Sequence, residues 1–294
     1  MTPMTARDRA ILSSLADWDP PADIAAARKS WERHAEELNR DLPVVGAFHE
    51  QVRLGPALHA DIAVPPGAPP FPVVLYLHGG GWAFGSPKSF RKVGMSFAAA
   101  GFLAVNLDYR LAPEHPFPAA LDDIWTALEW IGANAGSYGG DGSRAAIGGD
   151  SAGANLALAA ALGDTALMQR RVSALLLLYG VYDLPAALQR ANNHPGLVLQ
   201  VTNYIGSAAM SDPLISPLLA ILPASLPPCF LLEGSADRFV GGEARALAAA
   251  LQRAGVPHEL QIVDGMPHGF LQLFQLEGCQ MGWRSMLDFL RRQV

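Results

Sequence analysis

A serine of this sequence lies between two glycines, in the stretch Gly149-Asp150-Ser151-Ala152-Gly153. A serine in a sharp turn between a strand and a helix can act as a nucleophile, and flanking glycines let neighbouring backbone pass closely. The sequence predicts a short strand at 144–147 and a helix at 152–162, on either side of this turn. Ser151 is therefore a candidate nucleophile, although the pattern alone is weak in a chain with 29 glycines.

A serine nucleophile needs a general base, usually a histidine, and a carboxylate that orients it. In strand–turn–helix sites of this kind the acid and then the histidine follow the serine along the chain. Three histidines follow Ser151: His194, His258 and His268. His194 lies in a proline-rich region and His258 begins a predicted strand, whereas His268 lies on a loop past a strand end, where α/β sheets carry their chemistry. We expect His268 to be the base.

Four carboxylates after Ser151 are candidates for the acid. Asp237 follows a predicted strand at 229–234 by three residues and lies on a loop. Glu233 is inside that strand, and Glu243 begins a helix, where a carboxylate has an ordinary role at the helix terminus. Asp264, at the end of the next strand, is the rival. We expect Asp237 to be the acid.

Three consecutive glycines, Gly79 to Gly81, follow a fully apolar run at 73–77. Glycines let a loop direct its backbone N–H groups at a developing negative charge without side-chain obstruction. A simple turn is the alternative interpretation, but three glycines in a row cost chain entropy unless the backbone itself is used. The loop is therefore a candidate oxyanion hole.

Apolar runs that alternate with helical patterns must position these residues. Strands are predicted at 50–54, 57–64, 73–77, 102–107, 145–147, 174–180, 229–234 and 258–263. Helices are predicted at 119–131, at 152–162, at 243–253 and at the end of the chain to about residue 292. Near the N-terminus an amphipathic face is formed by Ile24, Arg28, Trp31, Ala35 and Leu38. Such alternation predicts an α/β fold with a mostly parallel sheet and helices on both faces.

The 294 residues are enough for one large core, so a single domain spanning 1–294 is expected. A net charge of −6 and 21 scattered Lys and Arg residues leave no basic stripe for nucleic acid. No run approaches about 20 apolar residues, and the first residues lack the apolar segment of a secretory signal. We expect a soluble, cytoplasmic protein without a membrane span. Cys229 and Cys279 are too few for a disulfide framework and lack metal-ligand spacing.

These motifs resemble the hormone-sensitive-lipase-like family of α/β-hydrolases, in its bacterial esterase branch with a GDSAG elbow. The resemblance covers most of the chain from about residue 70 onward. It rests on HGGGW at 78–82, DYRLAPEHPFPAALDD at 108–123, GDSAGANLA at 149–157, DPLISPLL at 212–219 and GMPHGF at 265–270. It implies an eight-stranded, mostly parallel sheet and a small helical cap built from residues 1–42 and 184–212.

The resemblance also implies roles for single residues. The triad would be Ser151, Asp237 and His268, and the oxyanion hole would be the N–H groups of Gly80, Gly81 and Ala152. The implied reaction is hydrolysis of short-chain esters through an acyl-enzyme, with no cofactor and no metal, and a homodimer is compatible with it. An amidase, a lactonase or an arylformamidase would use the same triad. A binding protein without catalysis is disfavoured, because the receptor branch of the family lacks the histidine.

Two features are left open by the sequence. Gly241 stands where many relatives carry a second carboxylate in the acid loop, so the groups that hold Asp237 are not identified. The lining of the substrate pocket is the second open feature. Candidates for its apolar lining are Trp82, Phe84, Tyr182, Leu214 and Ile215, with plain packing as the alternative interpretation.

Overall fold

The computed structural model describes residues 4–14, 23–192 and 194–294. In these parts eight strands form one sheet. The strands are β1 (Ala47–Arg53), β2 (His59–Val64), β3 (Phe71–Leu77), β4 (Leu103–Asp108), β5 (Gly140–Asp150), β6 (Val172–Leu178), β7 (Cys229–Gly234) and β8 (His258–Val263). The helices are α1 (Ala6–Ser14), α2 (Ile24–Leu38), α3 (Arg91–Ala99), α4 (Ala119–Asn134), α5 (Ala152–Gly163), α6 (Thr165–Arg171), α7 (Leu184–Arg190), α8 (Pro195–Ile205), α9 (Glu243–Ala254) and α10 (Glu277–Gln293).

The sheet order is β1-β2-β4-β3-β5-β6-β7-β8. Only the pairs of β2 with β1 and with β4 are antiparallel among these strands, and the other five pairs are parallel. The predicted α/β-hydrolase fold with a mostly parallel eight-stranded sheet is thereby confirmed. The central strands β3 and β6 are apolar and almost wholly buried, as expected for parallel strands covered on both faces.

The strand register brings the chemical loops together at one edge of the sheet. Leu77 at the end of β3 pairs with Gly149 of β5, so the glycine loop emerges beside the turn that carries Ser151. Gly234 at the end of β7 pairs with Val263 at the end of β8. The loops that carry Asp237 and His268 therefore start side by side.

Three elements differ from the sequence-based expectation. β5 begins at Gly140, well before the predicted 145–147, because a central parallel strand is held by its neighbours even where glycines weaken its intrinsic preference. The short helices α3 and α6 were not predicted. In α3 the buried side chains of Val93 and Phe97 lie on one face, but polar residues and Gly94 interrupt the apolar pattern.

The predicted cap elements contain four helices in the described parts. Residues 1–3, 15–22 and 193 of those elements lie outside the described residues. In α2 the predicted face packs inward: Trp31 lies 5.5 Å from the Phe84 ring and 5.7 Å from the Phe90 ring, centroid to centroid. Among the described residues there is no helix that is both long and apolar enough to cross a membrane.

Candidate active site

Ser151 occupies the turn between β5 and α5 with backbone angles φ 54° and ψ −117°. This conformation is strained for a residue with a side chain, and such strain marks sites where geometry matters. The two flanking glycines are required by contact with β3. A Cβ atom on Gly149 or on Gly153 would lie 1.9 Å from the carbonyl oxygen of Leu77. The turn can therefore approach β3 only because both positions lack a side chain.

A continuous chain of hydrogen bonds joins the three side chains predicted for the triad. The Nε2 atom of His268 lies 2.8 Å from the Ser151 Oγ. The Nδ1 atom of His268 lies 2.7 Å from the Oδ2 of Asp237. The Asp237 side chain is fully buried and that of His268 is 22% exposed. With Nδ1 donating to the carboxylate, Nε2 is free to accept the serine proton.

Backbone N–H groups of its own loop hold Asp237. Its Oδ1 accepts hydrogen bonds from the N–H of Phe239, at 2.9 Å, and from the N–H of Val240, at 3.1 Å. Burial disfavours the charged carboxylate, but His268 and these two donors outweigh it and hold the pKa of Asp237 below its usual value. A second carboxylate at Gly241 is thus not needed to orient the acid.

The rival carboxylates bind other groups. Glu233 accepts two backbone N–H bonds at the start of α9, at 2.8 and 2.9 Å. Asp264 accepts the hydroxyl of Ser235 at 2.9 Å. Glu243 is buried and accepts the N–H of Tyr182. Glu233 and Asp264 are therefore not available to orient His268. Glu243 binds the loop that contains Tyr182 in addition to its place at the start of α9.

Two opposing effects act on the pKa of His268. Burial disfavours the imidazolium and lowers the pKa, while the charge of Asp237 and its hydrogen bond raise it, and the net pKa lies above the ordinary value of 6.5. Asp150 adds a smaller upward contribution. Only the neutral imidazole can accept the serine proton, so protonation of His268 at low pH prevents it from acting as a base.

The glycine loop has the backbone geometry of an anion site. Gly80 has φ 122°, and the Gly80 carbonyl oxygen accepts N–H bonds from Ala83 and Phe84 at 3.0 and 3.1 Å. Within residues 4–14, 23–192 and 194–294, the N–H groups of Gly80, Gly81 and Ala152 have no hydrogen-bond partner. Ala152 is also the first residue of α5, where the helix dipole favours negative charge. These three groups can bind a developing oxyanion.

A family model described as the alpha/beta hydrolase fold matches residues 74–272, the part of the chain that contains this constellation. The chain belongs to the hormone-sensitive-lipase-like family of α/β-hydrolases. That assignment was predicted from the five sequence motifs and is confirmed.

Several curated relatives of this α/β-hydrolase are named as esterases or ester hydrolases. Carboxylesterase NlhH of Mycobacterium tuberculosis is 36% identical over 220 residues, which cover 68% of this chain and 66% of the relative. Ethyl acetate hydrolase of Pseudomonas putida is 32% identical over 213 residues, with 68% and 66% covered. The chain thus spans just under two thirds of the length of these relatives.

A solved structure extends the similarity to nearly the whole chain. The hyperthermophilic esterase from the archaeon Pyrobaculum calidifontis superimposes with a TM-score of 0.86 at 26% identity. The match covers 98% of this chain and 97% of the other. The sheet and the helices described above therefore share one architecture with that esterase.

A buried carboxylate that sequence reasoning left without a role joins the glycine loop of this hydrolase to the nucleophile turn. The Oδ1 of Asp150 accepts the hydroxyl of Tyr76 at 2.6 Å and the N–H of Gly79 at 2.8 Å. Burial raises the pKa of Asp150 to about 6, against the effect of these donors. Its position directly before Ser151 was the only available signal in the sequence.

His78 and Tyr109 also support the glycine loop. The Tyr109 hydroxyl donates to the His78 carbonyl oxygen at 2.7 Å, and the two rings stack with centroids 4.4 Å apart. Burial lowers the pKa of His78 to about 4, so its ring is neutral near pH 7. Its Nδ1–H donates to the Gly79 carbonyl oxygen at 2.8 Å.

The N-terminal helix α2 supplies a further anchor through Arg28. Its guanidinium donates to the carbonyl oxygen of Ala83 at 2.8 Å and to that of Ala112 at 3.0 Å. A two-pronged ion pair with Glu114, at 2.8 and 2.7 Å, fixes the guanidinium plane. Sequence reasoning missed this role, although a charged residue on the inward face of an amphipathic helix was a usable signal.

The five candidates for the substrate lining occupy different surroundings. Trp82 follows the glycines, is 2% exposed and stacks on Tyr204 of α8, with ring centroids 4.5 Å apart. Phe84 packs against α2, and Tyr182 and Ile215 are fully buried in the main core. The Cδ1 of Leu214 lies 3.5 Å from the position that a Cβ atom on Gly163, the last residue of α5, would occupy. The carbonyl oxygen of the neighbouring Ile215 accepts a bond from Asn155, one turn after Ser151, at 2.9 Å.

An open depression of about 560 Å³ lies at the opposite end of β5 from Ser151. It is lined by small residues and by Asp141 and Arg171. Its lining residue on β5 that is nearest to Ser151 along the strand is Ser143, eight residues before it, so this depression is not part of the proposed catalytic constellation.

Proposed function

We propose that this protein is a serine carboxylesterase that hydrolyses short-chain acyl esters through an acyl-enzyme intermediate. The observation that carries the proposal is the hydrogen-bond chain from the Ser151 Oγ through His268 to Asp237, at 2.8 and 2.7 Å. The family membership and the esterase names of the relatives support it. An unpaired serine in the same turn would be a poor nucleophile near pH 7.

In the acylation step His268 acts as general base and then as general acid. As the Ser151 Oγ bonds to the ester carbonyl carbon, Nε2 takes the hydroxyl proton and the carbonyl oxygen becomes an oxyanion. Collapse of the tetrahedral intermediate breaks the bond to the alcohol oxygen, which receives the proton from Nε2. The alcohol leaves, and the acyl group stays on Ser151.

Deacylation repeats these steps with water. Nε2 takes a proton from the water molecule as its oxygen attacks the acyl carbon, and returns it to the Ser151 Oγ as the carboxylic acid leaves. Asp237 stays ionised and holds the imidazole in the required tautomer throughout. No residue changes its oxidation state, and the protein returns to its starting form.

The oxyanion of both intermediates is assigned to the N–H groups of Gly80, Gly81 and Ala152. Three donors that have no hydrogen-bond partner in the described parts of the chain stabilise the negative charge as it develops, and loss of one such donor typically costs about 10²–10³ in rate. Asp150 and Arg28 hold the glycine loop against Ser151 and are positioning residues.

The short-acyl preference is proposed from the name of one relative and from the packing of the candidate lining residues. One relative is named for ethyl acetate, whose acyl group has two carbons. We keep Trp82 as the proposed apolar lining because it follows the oxyanion glycines directly. Phe84, Tyr182 and Ile215 are assigned to packing behind the site, and Leu214 is left out. A homodimer and a cytoplasmic location stay predictions from the sequence.

Turnover of p-nitrophenyl butyrate by the wild-type protein and by Ser151→Ala tests the proposal. We expect rapid release of nitrophenol by the wild type and its loss in the variant, with an unchanged circular-dichroism spectrum. Equal rates for the two proteins would refute it. A panel of lactones, arylamides and N-formyl compounds tests the bond type, and a chain-length series with its optimum at twelve carbons or more would contradict the short-acyl assignment.

A further inference from the structure

A side-chain amide of the cap lies against the oxyanion loop. Gln200 of α8 is 5% exposed, and its Oε1 lies only 1.9 Å from the position that a Cβ atom on Gly81 would occupy. Four residues further along the same face of α8, Tyr204 stacks on Trp82 with an interplanar angle of 9°. The helix therefore covers two consecutive residues of the loop, one with an amide and one with a ring.

The Gln200 amide has no hydrogen-bond partner among the residues that the structure describes. Buried amides are normally paired, because burial of an unpaired donor or acceptor is costly. Asn155 uses its amide to join two parts of the protein, because it donates to the carbonyl oxygens of Val181 and Ile215, at 2.8 and 2.9 Å. Gln200 makes no such connection among the described residues, and neither of its amide atoms is one of their fully buried unpaired side-chain atoms. Its amide therefore keeps access to the space beside the glycine loop, where a ligand can pair with it.

The chemistry next to Gly81 indicates what the amide binds. Under the proposed function the Gly81 N–H holds the oxygen of the scissile carbonyl, so a group in contact with Gly81 reaches substituents one or two bonds from that carbonyl. An amide offers both an acceptor and donors. A hydroxyl group can satisfy both at once, whereas a methyl group of the same size satisfies neither.

We propose that Gln200 is a specificity-determining residue that binds a hydroxyl group on the carbon next to the scissile carbonyl, so that 2-hydroxy esters are preferred substrates. The proposal rests on the ester hydrolysis proposed above. A site built to bind a hydroxyl discriminates strongly against the analogue that lacks it, because its own polar group then stays unpaired.

Ethyl lactate and ethyl 2-methylpropanoate are a matched substrate pair, since they differ by a hydroxyl in place of a methyl group. We expect the wild type to have a kcat/KM at least about tenfold higher for ethyl lactate. Gln200→Leu keeps the size of the side chain and should reduce this ratio to about one, by loss on ethyl lactate with the rate on ethyl 2-methylpropanoate retained. Thr202→Ala, at an exposed position of α8, is the control and should leave the ratio unchanged.

Three outcomes would overturn the assignment of Gln200. They are equal kcat/KM values of the wild type for the two esters, a ratio that Gln200→Leu leaves unchanged, and an equal loss on both esters in that variant. The last result would mean that the amide packs the loop or binds the carbonyl oxygen itself. If Gln200→Leu does not fold, Gln200→Asn, which shortens the amide by one methylene, replaces it and should also lower the ratio. Absence of turnover of every ester would instead overturn the proposed function, and this assignment with it.

Discussion

The proposed catalytic residues and the proposed oxyanion loop of this α/β-hydrolase are held by different parts of the molecule. Asp237 and His268 lie three and five residues beyond the ends of β7 and β8, and they are aligned by neighbouring strands. The loop of residues 79–84 is instead contacted by helices outside the sheet, through Arg28 of α2 and Tyr204 of α8.

This difference separates two kinds of catalytic contribution. The triad side, Ser151 with His268 and Asp237, carries out the proposed proton transfer. Substitutions on this side should therefore change both the rate and the pH dependence of the rate. The loop side, residues 79–84 with their helical anchors Arg28 and Tyr204, governs stabilisation of the oxyanion. Variants there should reduce kcat while the pH profile keeps its wild-type midpoint, because no proton donor or acceptor of the mechanism is altered.

The largest effect should come from Asp237→Asn. The variant lacks the charge that contributes most to raising the pKa of His268, so burial is opposed only by the weaker effects of Asp150 and Glu233 and the acid limb of kcat/KM moves to lower pH. The neutral side chain also favours the wrong tautomer of the imidazole, and we expect a loss of about 10⁴ in kcat. A pH–rate profile of p-nitrophenyl butyrate hydrolysis measures both.

Asp150→Asn is the matched comparison, since the charge of Asp150 also raises the pKa of His268, by less than that of Asp237. Its amide oxygen can still accept the bonds of Tyr76 and Gly79. The shift of the acid limb should have the same direction and be smaller, and the loss in kcat should be less than about tenfold. A loss as large as that of Asp237→Asn would contradict the division of roles between the two carboxylates.

An intermediate effect is expected for Gly80→Ala on the loop side. A Cβ atom at this position would lie 2.1 Å from the Phe84 carbonyl oxygen, so the loop must move and its N–H donors with it. Loss of such a donor typically costs about 10²–10³ in kcat. The acid limb should stay at its wild-type pH.

Gly101→Ala is the control for backbone strain. Gly101 also has a positive φ, of 98°, but an added Cβ would meet nothing within 4 Å. It should lower the melting temperature slightly and leave kcat unchanged. Equal activity losses in the two variants would show that general strain, rather than the loop geometry, limits the rate.

A smaller effect than that of Gly80→Ala should come from Arg28→Met, which removes the anchor and keeps much of the side-chain volume. The Ala83 and Ala112 carbonyl oxygens lose their charged donor, and we expect a fall of about tenfold in kcat with an unchanged pH midpoint. Arg33→Met, at an exposed position of the same helix, should behave as the wild type. A shift of the pH midpoint in Arg28→Met would break the separation between the two sides.

The same contrast explains what the sequence could and could not predict. Most of the central strands appear in the sequence as apolar runs, so their ends can be located. Ser151, Asp237 and His268 each follow a strand end, and their residue types together with that position were enough to predict them as the triad. The separation of Arg28 from Ala83 is 55 residues, and their contact depends on how α2 packs. A local pattern can mark Arg28 as lying on the inward face of α2, but it does not encode which carbonyl groups the guanidinium reaches.

The most direct test of the account is a mass measurement of the acyl-enzyme. The protein is mixed with p-nitrophenyl acetate, quenched in acid and digested, and the peptides are analysed by mass spectrometry. We predict one added acetyl group on the peptide that contains Ser151, on Ser151 itself, and none in Ser151→Ala. Sustained ester turnover with Ser151 unmodified, or with the acetyl group on another residue, would contradict the account.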